Sequence, residues 1–337
     1  MRKSNQKQKS PIVLFWATGL VLLILAVGLS LFNGRFAADP ATVIQALMGS
    51  ADNPVVANII LTVRLPRILL VILVGAGLAI SGAAFQGVFQ NPLVSPDVLA
   101  VSSGAAFGAV LSIMLNGSST LLVLLALSFG MVAVALTYNF ARVRGSVTTL
   151  SLILSGMIMS SLFNALISLM KYVANAETQL PEITYWLLGS FAGTTFKDVA
   201  IAAGPVIIGS IALIAMGNRI NILSLGDDEA TSLGINPTRS RLVVIFFATL
   251  VTSACITVTG IIGWVGLIIP HIARFIVGPN HTRLIPASIL LGAIFMTVVD
   301  LVARSLLATE IPVGVLTALI GAPFFMAIFH FQAGKRL

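Results

Sequence analysis

The sequence predicts an all-α, polytopic membrane protein with about ten transmembrane helices. Hydrophobic residues make up 58% of the 337 residues and charged residues only 9%, whereas about 25% of the residues of a soluble domain are charged. The apolar residues are gathered in runs of about 20, the length of a helix that crosses the hydrocarbon core of a bilayer. The polar gaps between these runs are too short to hold a soluble domain. A single transmembrane domain over residues 1–337 is therefore predicted.

The predicted spans follow one another along the whole chain. They cover residues 12–32, 58–85, 98–115, 120–141, 149–171, 196–216, 242–262, 263–277, 284–307 and 313–332. The 263–277 segment is short, contains Pro270 and is flanked by glycines. It is predicted to be a tilted or partial helix, which is tolerable only where neighbouring helices bury its ends.

The distribution of Lys and Arg predicts the orientation. With the N-terminus inside, most of the 19 basic residues lie on the cytoplasmic side, as the positive-inside rule requires. Both termini are then cytoplasmic. The same distribution explains the net charge of +8, so nucleic acid is not a predicted partner, whereas membrane lipid is.

The longest polar gaps are 33–57, 172–195 and 217–241, and the last of these is a polar island between two apolar runs. It contains three consecutive acids at 227–229, and turn residues such as Gly226 and Gly234 divide it into two short predicted helices. Either it is an ordinary solvated loop, or it touches a partner outside the bilayer. The chain has no G-x-x-x-x-G-K-[ST] phosphate loop. Uphill transport would therefore need an ion gradient or a partner that hydrolyses ATP.

Charged residues within the spans are few. Ion-coupled carriers usually keep Asp, Glu or His in mid-span, but here Asp300 is the clearest case, and Arg304 lies one turn later as a structural partner. Three scattered histidines and one cysteine predict no metal site. No clustered acid, base or nucleophile indicates a catalytic site, so a membrane enzyme is disfavoured.

Two further groups of residues stand out. Arg64 and Arg67, at the predicted outer end of the second span, break the positive-inside trend, either as interfacial anchors or for a specific purpose. In the fifth span the small and polar residues recur at three- to five-residue spacing, either as a helix-packing seam or as the lining of a water-filled path. They include Ser155, Gly156, Ser160 and Asn164.

These segments together carry a resemblance to a known family. The segments are RLPR (64–67), GAAFQGVFQNPLVSPDVLAVSSGA (82–105), LSLGDDEATSLGI (223–235), GIIGWVGLIIPHIARFIVG (260–278) and GAPFF (321–325). The chain resembles the permease subunit of binding-protein-dependent ABC importers for ferric siderophores, haem and cobalamin. The resemblance covers essentially the whole chain, and its most specific parts are the island and the GLIIPHIAR segment.

The resemblance implies a type II ABC importer permease in the inner membrane of a bacterium. The single permease domain would carry its cytoplasmic coupling loop at 217–241. It implies a homodimer, two ATP-binding subunits that hold ATP and magnesium, and a periplasmic substrate-binding protein. This chain would bind no cofactor and would not itself be an enzyme. Transport would proceed by alternating access, and an ion-coupled secondary transporter is the alternative.

The resemblance also implies roles for individual residues. Coupling to the ATPase would fall on Leu225, Gly226, Asp227, Glu229, Ala230, Leu233 and Gly234. The cytoplasmic gate would fall on Asn91, Leu93, Thr148 and Thr149, next to the polar face of the fifth span. Docking of the binding protein would fall on Arg64, Arg67 and Arg304. The cargo would be an iron chelate, haem, cobalamin, or an oxyanion such as molybdate or tungstate, and no residue decides among them.

Overall fold

The structure is a computed structural model that describes residues 2–34, 39–50, 53–143, 146–307 and 309–333. Its helices are α1 (Arg2–Phe32), α2 (Pro40–Leu47), α3 (Pro54–Asn58), α4 (Leu65–Val88), α5 (Val101–Met114), α6 (Ser119–Ala141), α7 (Thr149–Val173), α8 (Gln179–Leu188), α9 (Phe196–Ala215), α10 (Gly217–Leu223), α11 (Asp227–Ser232), α12 (Pro237–Thr259), α13 (Val265–Val277), α14 (His281–Ser305) and α15 (Val313–Ala333). A π-helical segment, Ile59–Arg64, joins α3 to α4, and a 3₁₀ turn, Pro96–Leu99, precedes α5. The short strands β1 (Arg142–Val143) and β2 (Ser146–Val147) form an antiparallel pair.

The helices confirm the all-α, polytopic fold. Within the described residues, seven helical segments are long and apolar enough to cross a membrane: α1, the continuous segment Pro54–Val88, α6, α7, α9, α12 and α14. Shorter apolar helices, α5, α13 and α15, occupy the remaining predicted spans. The helix α5 is short because the predicted third span begins with the 3₁₀ turn rather than with α-helix.

Helix α4 lies at the centre of the fold. Most of its side chains are buried, and it packs against α14, α12, α13 and α9. Glycines permit two of these contacts: a Cβ on Gly75 would lie 2.3 Å from the carbonyl oxygen of Gly292, and one on Gly82 only 1.8 Å from that of Gly266. Small residues at helix crossings in membranes allow backbones to approach closely. The close approach fixes α13 and α14 against α4.

The chain is not helical between α12 and α13, at residues 260–264. Gly260 has φ 71°, and a Cβ there would lie 2.0 Å from the carbonyl oxygen of Trp186 at the end of α8. The amide of Ser190 donates to the carbonyl of Thr259 over 2.8 Å. Irregular backbone at membrane depth is stable only when protein buries it. The short α13 therefore agrees with the partial helix predicted from the sequence.

Candidate functional site

The polar island forms the two short helices that the sequence predicts, α10 and α11. Gly226, with φ 125°, separates them, and Gly234, with φ 77°, follows α11. The three acids of the first turn of α11 favour its start because the N-terminus of a helix carries partial positive charge. Asn236 then begins α12, since its side-chain oxygen accepts a hydrogen bond from the Arg239 amide at 2.9 Å.

An ion pair and one buried residue fix α11 to α12. Arg241 Nη2 lies 2.8 Å from Asp227 Oδ1, and the Arg241 side chain is only 12% exposed. Ala230 is fully buried. By contrast, Leu225 and Leu233 are 62% and 60% exposed. These two exposed leucines flank α11 on an anchored polar segment, and we call the pair the leucine platform.

The island also contacts the end of α4. Gln90 Nε2 donates to the carbonyl of Leu223 over 2.8 Å, and the Ser224 hydroxyl donates to the carbonyl of Gly87 over 3.2 Å. The predicted gate residue Asn91 follows directly, and its side-chain oxygen accepts from the amide of Leu93 at 2.9 Å. Leu93 is 46% exposed. These hydrogen bonds connect α10 and Ser224 to Gly87 and Gln90, and Gln90 directly precedes the predicted gate position Asn91.

A contact that sequence reasoning missed joins α13 to α4. Arg274 Nη2 donates to Gln86 Oε1 over 2.8 Å, and Gln86 Nε2 donates to the carbonyl of Leu267 over 3.3 Å. Gln86 and Arg274 both lie in segments that carry the family resemblance. That shared origin is the only sequence signal that could have suggested their contact. They line a groove of about 640 Å³ beside α10 and the start of α14. His271 instead contacts the ring of Phe275.

The predicted gate and pathway residues of the fifth span separate into two groups. Thr148 caps α7 in a reciprocal pair of hydrogen bonds with Ser151, and Thr149 is exposed. Ser155 and Gly156 are buried, and a Cβ on Gly156 would lie 1.8 Å from the carbonyl oxygen of Val98. The structure therefore uses this pair as a packing seam.

The other two pathway residues of α7 remain accessible. Ser160 is half-buried and Asn164 is exposed. Met157, an exposed apolar residue, lies three residues before Ser160 and seven before Asn164, and therefore on the same side of the helix. The pathway hypothesis therefore concerns Ser160 and Asn164 in particular.

The predicted pairing of Asp300 with Arg304 is present, but a second arginine lies closer to the acid. Arg304 Nε lies 3.5 Å from Asp300 Oδ2, whereas Arg67 Nη2 lies 2.9 Å from Asp300 Oδ1. Arg67 also donates from Nη1 to both carboxylate oxygens of Glu310, over 3.1 and 3.0 Å. Arg67 is the closer partner because α4 and α14 cross tightly, which the sequence does not show.

The three predicted docking arginines are all buried within this chain. Their exposed fractions are 5% for Arg64, 8% for Arg67 and 7% for Arg304. Arg304 donates to the carbonyls of Asn33 and Ser30, and Arg64 donates to that of Leu31. Docking through them stays a prediction, and it would require these arginines to exchange their present partners.

The fold defines a multi-pass membrane protein in which two short helices, α10 and α11, form a polar segment between two spans. The family model described as the FecCD transport family matches residues 22–331. The chain belongs to the FecCD transport family, whose members are permeases of type II ABC importers.

Individual relatives agree with this assignment. The chain is 42% identical over 329 residues to the molybdate import system permease protein MolB of Haemophilus influenzae, covering 96% of this chain and 97% of the relative. It is 42% identical over 279 residues to the cobalamin import system permease protein BtuC of Halobacterium salinarum, covering 82% and 75%. A solved inward-facing structure assigned to the metal-chelate type of ABC transporter superposes with a TM-score of 0.85 at 40% identity, covering 94% of this chain and 98% of that one.

Proposed function

We propose that this chain is the membrane-spanning subunit of a homodimeric importer that moves a metal-containing solute into the bacterial cytoplasm. Two partner subunits hydrolyse ATP and drive alternating access, and a periplasmic protein delivers the solute. Membership of an importer permease family supports the role of the chain. The sequence contains no phosphate-loop motif, which supports a partner as the site of ATP hydrolysis.

The leucine platform is the observation that carries the proposal. Leu225 and Leu233 expose most of their surface on a segment outside the spans, and exposed apolar surface on an anchored element is typical of a protein interface. The Asp227–Arg241 pair makes α11 move with α12. The bonds of Gln90 and Ser224 connect α10 to the end of α4. A force applied to the platform would therefore reach two spanning helices.

The cargo is proposed only as a class. Relatives of equal identity are named for molybdate and for cobalamin, so overall similarity does not separate an oxyanion from a metal chelate. The accessible polar residues of α7, Ser160 and Asn164, are uncharged, which suits a path along which either class of solute passes without being held. A binding screen of the periplasmic partner against molybdate, cobalamin and iron chelates identifies the cargo.

An ion-coupled carrier is the competing function. Asp300 and Glu310 are both bound to Arg67, which leaves neither free to carry an ion. Asp97, before α5, accepts a hydrogen bond from the Ser102 hydroxyl. Uptake into proteoliposomes that carry no ion gradient separates the two functions. ATP-dependent uptake that survives in Asp97→Asn supports the importer, and uptake that needs a gradient and no ATP contradicts it.

The leucine platform is tested by charge substitution. Leu225→Asp and Leu233→Asp are each expected to reduce co-purification of the ATP-binding subunit at least tenfold, because an ionised carboxylate would have to be desolvated in the interface. Thr238→Asp is the matched control, since Thr238 is an exposed residue of the same segment. Equal loss in the control, or full assembly of both leucine variants, contradicts the proposed interface.

A further inference from the structure

A groove between α6 and α12 has no place in the transport mechanism above. Its volume is about 240 Å³. Its walls are mainly apolar and come from successive turns of the two helices: Met131, Val134, Ala135, Tyr138 and Asn139 on α6, and Leu242, Ile245, Phe246 and Thr249 on α12. Leu242 and Phe246 are 42% and 48% exposed. The groove therefore opens on the outside of the chain at the level of the spans.

The dimensions of the groove match one leaflet of a bilayer. Along α6 the lining runs from Met131 to Asn139, which corresponds to about 12 Å at the rise of an α-helix. Half of the hydrocarbon core measures about 15 Å. Asn139 and Leu242 lie at the end of the groove that is nearer the ends of their helices, while Met131 and Thr249 lie towards mid-span.

The end of the groove near Asn139 is basic. Arg142 follows α6 one turn after Asn139, and Arg239 lies three residues before Leu242 on α12. Both arginines are exposed, and neither takes part in an ion pair within the described part of the chain.

The other charges near this end do not cancel the two arginines. Arg241 is bound to Asp227. Asp228 and Glu229 are exposed on α11, which packs against the start of α12, but neither forms an ion pair with Arg142 or Arg239 among the described residues. Arg142 and Arg239 thus remain available to an anionic group at the level of the lipid headgroups.

We propose that this groove holds one acyl chain of an anionic phospholipid, whose phosphate-bearing headgroup contacts Arg142 and Arg239. The apolar walls receive the chain, and the two arginines favour a net negative headgroup, since each basic residue near a membrane surface strengthens binding to anionic lipid. In the orientation inferred from the basic residues, this lipid belongs to the cytoplasmic leaflet. The preference for an anionic headgroup does not depend on that orientation or on the cargo.

The test is native mass spectrometry of the full-length protein. The protein is mixed in detergent with dioleoyl phosphatidylglycerol or dioleoyl phosphatidylcholine, and the lipid that stays bound after release from the detergent is measured. The wild type is expected to retain phosphatidylglycerol at least fivefold more strongly. Arg142→Gln/Arg239→Gln is expected to lose that preference, because one basic residue contributes about fivefold in binding. Arg283→Gln, an exposed arginine at the start of α14, is the matched control and is expected to keep it.

A second variant tests the groove itself. Ala135→Phe places a ring in the groove from an exposed position, and it is expected to reduce retention of both lipids equally. Thermal unfolding that matches the wild type shows that the variant is folded. If it does not fold, the arginine variants decide the proposal alone. Equal retention of the two lipids by the wild type, or equal loss in Arg283→Gln, overturns the proposal. So does a disulfide between two copies of an Asn139→Cys variant, because a second copy would then cover the groove.

Discussion

Arg67 forms ion pairs with two carboxylates, Asp300 and Glu310. Its guanidinium contacts Asp300, whose side chain is 1% exposed, and Glu310, whose side chain is 24% exposed. Planar guanidinium groups suit this geometry because their donors form a rigid fork. A single cation therefore joins the start of α4 to α14 and to the segment before α15. Of the two ion pairs of Arg67, the one with Asp300 is buried from solvent.

Removal of Arg67 is expected to destabilise the protein strongly. Arg67→Met leaves two carboxylates without their closest cation, and breaking one side of a buried pair costs about 3–5 kcal/mol. The measurement is thermal unfolding of the purified protein in detergent. Arg67→Met/Asp300→Asn is expected to recover part of the loss. Arg219→Met, at an exposed arginine, is expected to change stability by less than about 0.5 kcal/mol. An Arg67→Met protein as stable as the wild type would show that the network carries no stability.

Among the helices, glycine decides which surfaces meet. The backbones of α4 and α14 meet at Gly75 and Gly292, where a Cβ on either residue would lie 2.3 Å from the other's carbonyl oxygen. Gly204, in α9, has no atom within 4 Å of such a Cβ. Glycine is abundant along the chain, with 29 residues, but only the structure separates contact glycines from exposed ones.

Substitution of these glycines is expected to have different effects. Gly292→Val forces α14 away from α4, and overpacking of this kind destabilises by about 1–3 kcal/mol or more. Gly204→Ala is expected to change stability by less than about 1 kcal/mol, because its methyl group meets open space and the helix preference of alanine is offset in part by the following Pro205. Thermal unfolding in the same detergent measures both. If Gly204→Ala lowers the stability as much as Gly292→Val does, contact between helices does not explain the loss of stability.

In α7, chemical labelling can distinguish the buried packing residue Ser155 from the accessible pathway candidates Ser160 and Asn164. Because Ser155 is buried and Asn164 is exposed, Asn164→Cys and Ser160→Cys are expected to react with a small aqueous maleimide while Ser155→Cys is protected. The background is Cys255→Ser, although Cys255 itself is fully buried.

Labelling at Ser160→Cys is further expected to change between nucleotide-free and ATP-bound complexes. Constant protection at both accessible positions in every state would show that α7 does not line the path.

At the scale of the whole molecule, the ion pairs of Arg67 bear on the proposed docking of a binding protein. Glu310 is the more exposed acid bound to Arg67, so an incoming carboxylate could replace it while Asp300 stays in place. Glu310 also lines a groove of about 490 Å³ with Trp186 and Thr259. Its release would therefore alter the contact between α8 and the end of α12.

Glu310→Gln is accordingly expected to speed association with the binding protein. It removes the charge that competes for Arg67, and rim charges mainly affect the association rate. The measurement is the association rate at low and moderate salt, and the gain is expected to shrink as salt rises. Glu177→Gln is the control, at an exposed acid that forms no ion pair among the described residues. If the rates of Glu310→Gln and of the wild type are equal at every salt concentration, direct docking through Arg67 is contradicted.

The sequence alone determined the class of the protein. Runs of apolar residues predict spanning helices because the bilayer sets their length, and the acids and glycines of the island predict α10 and α11 from signals a few residues apart. The motifs at 64–67, 223–235 and 260–278 carry the resemblance to the importer permease family, to which the chain belongs.

Only the tertiary structure decided which side chains meet. Arg67 and Asp300 are separated by 233 residues, and Arg67 and Glu310 by 243, so nothing in the local pattern prefers Arg67 over the nearer Arg304 as the partner of Asp300. The same holds for the groove between α6 and α12 and for the division of the α7 residues into buried and accessible. Periodicity and capping act within a few turns of one helix, whereas these pairings depend on how α4 crosses α14 and how α7 packs on the turn before α5.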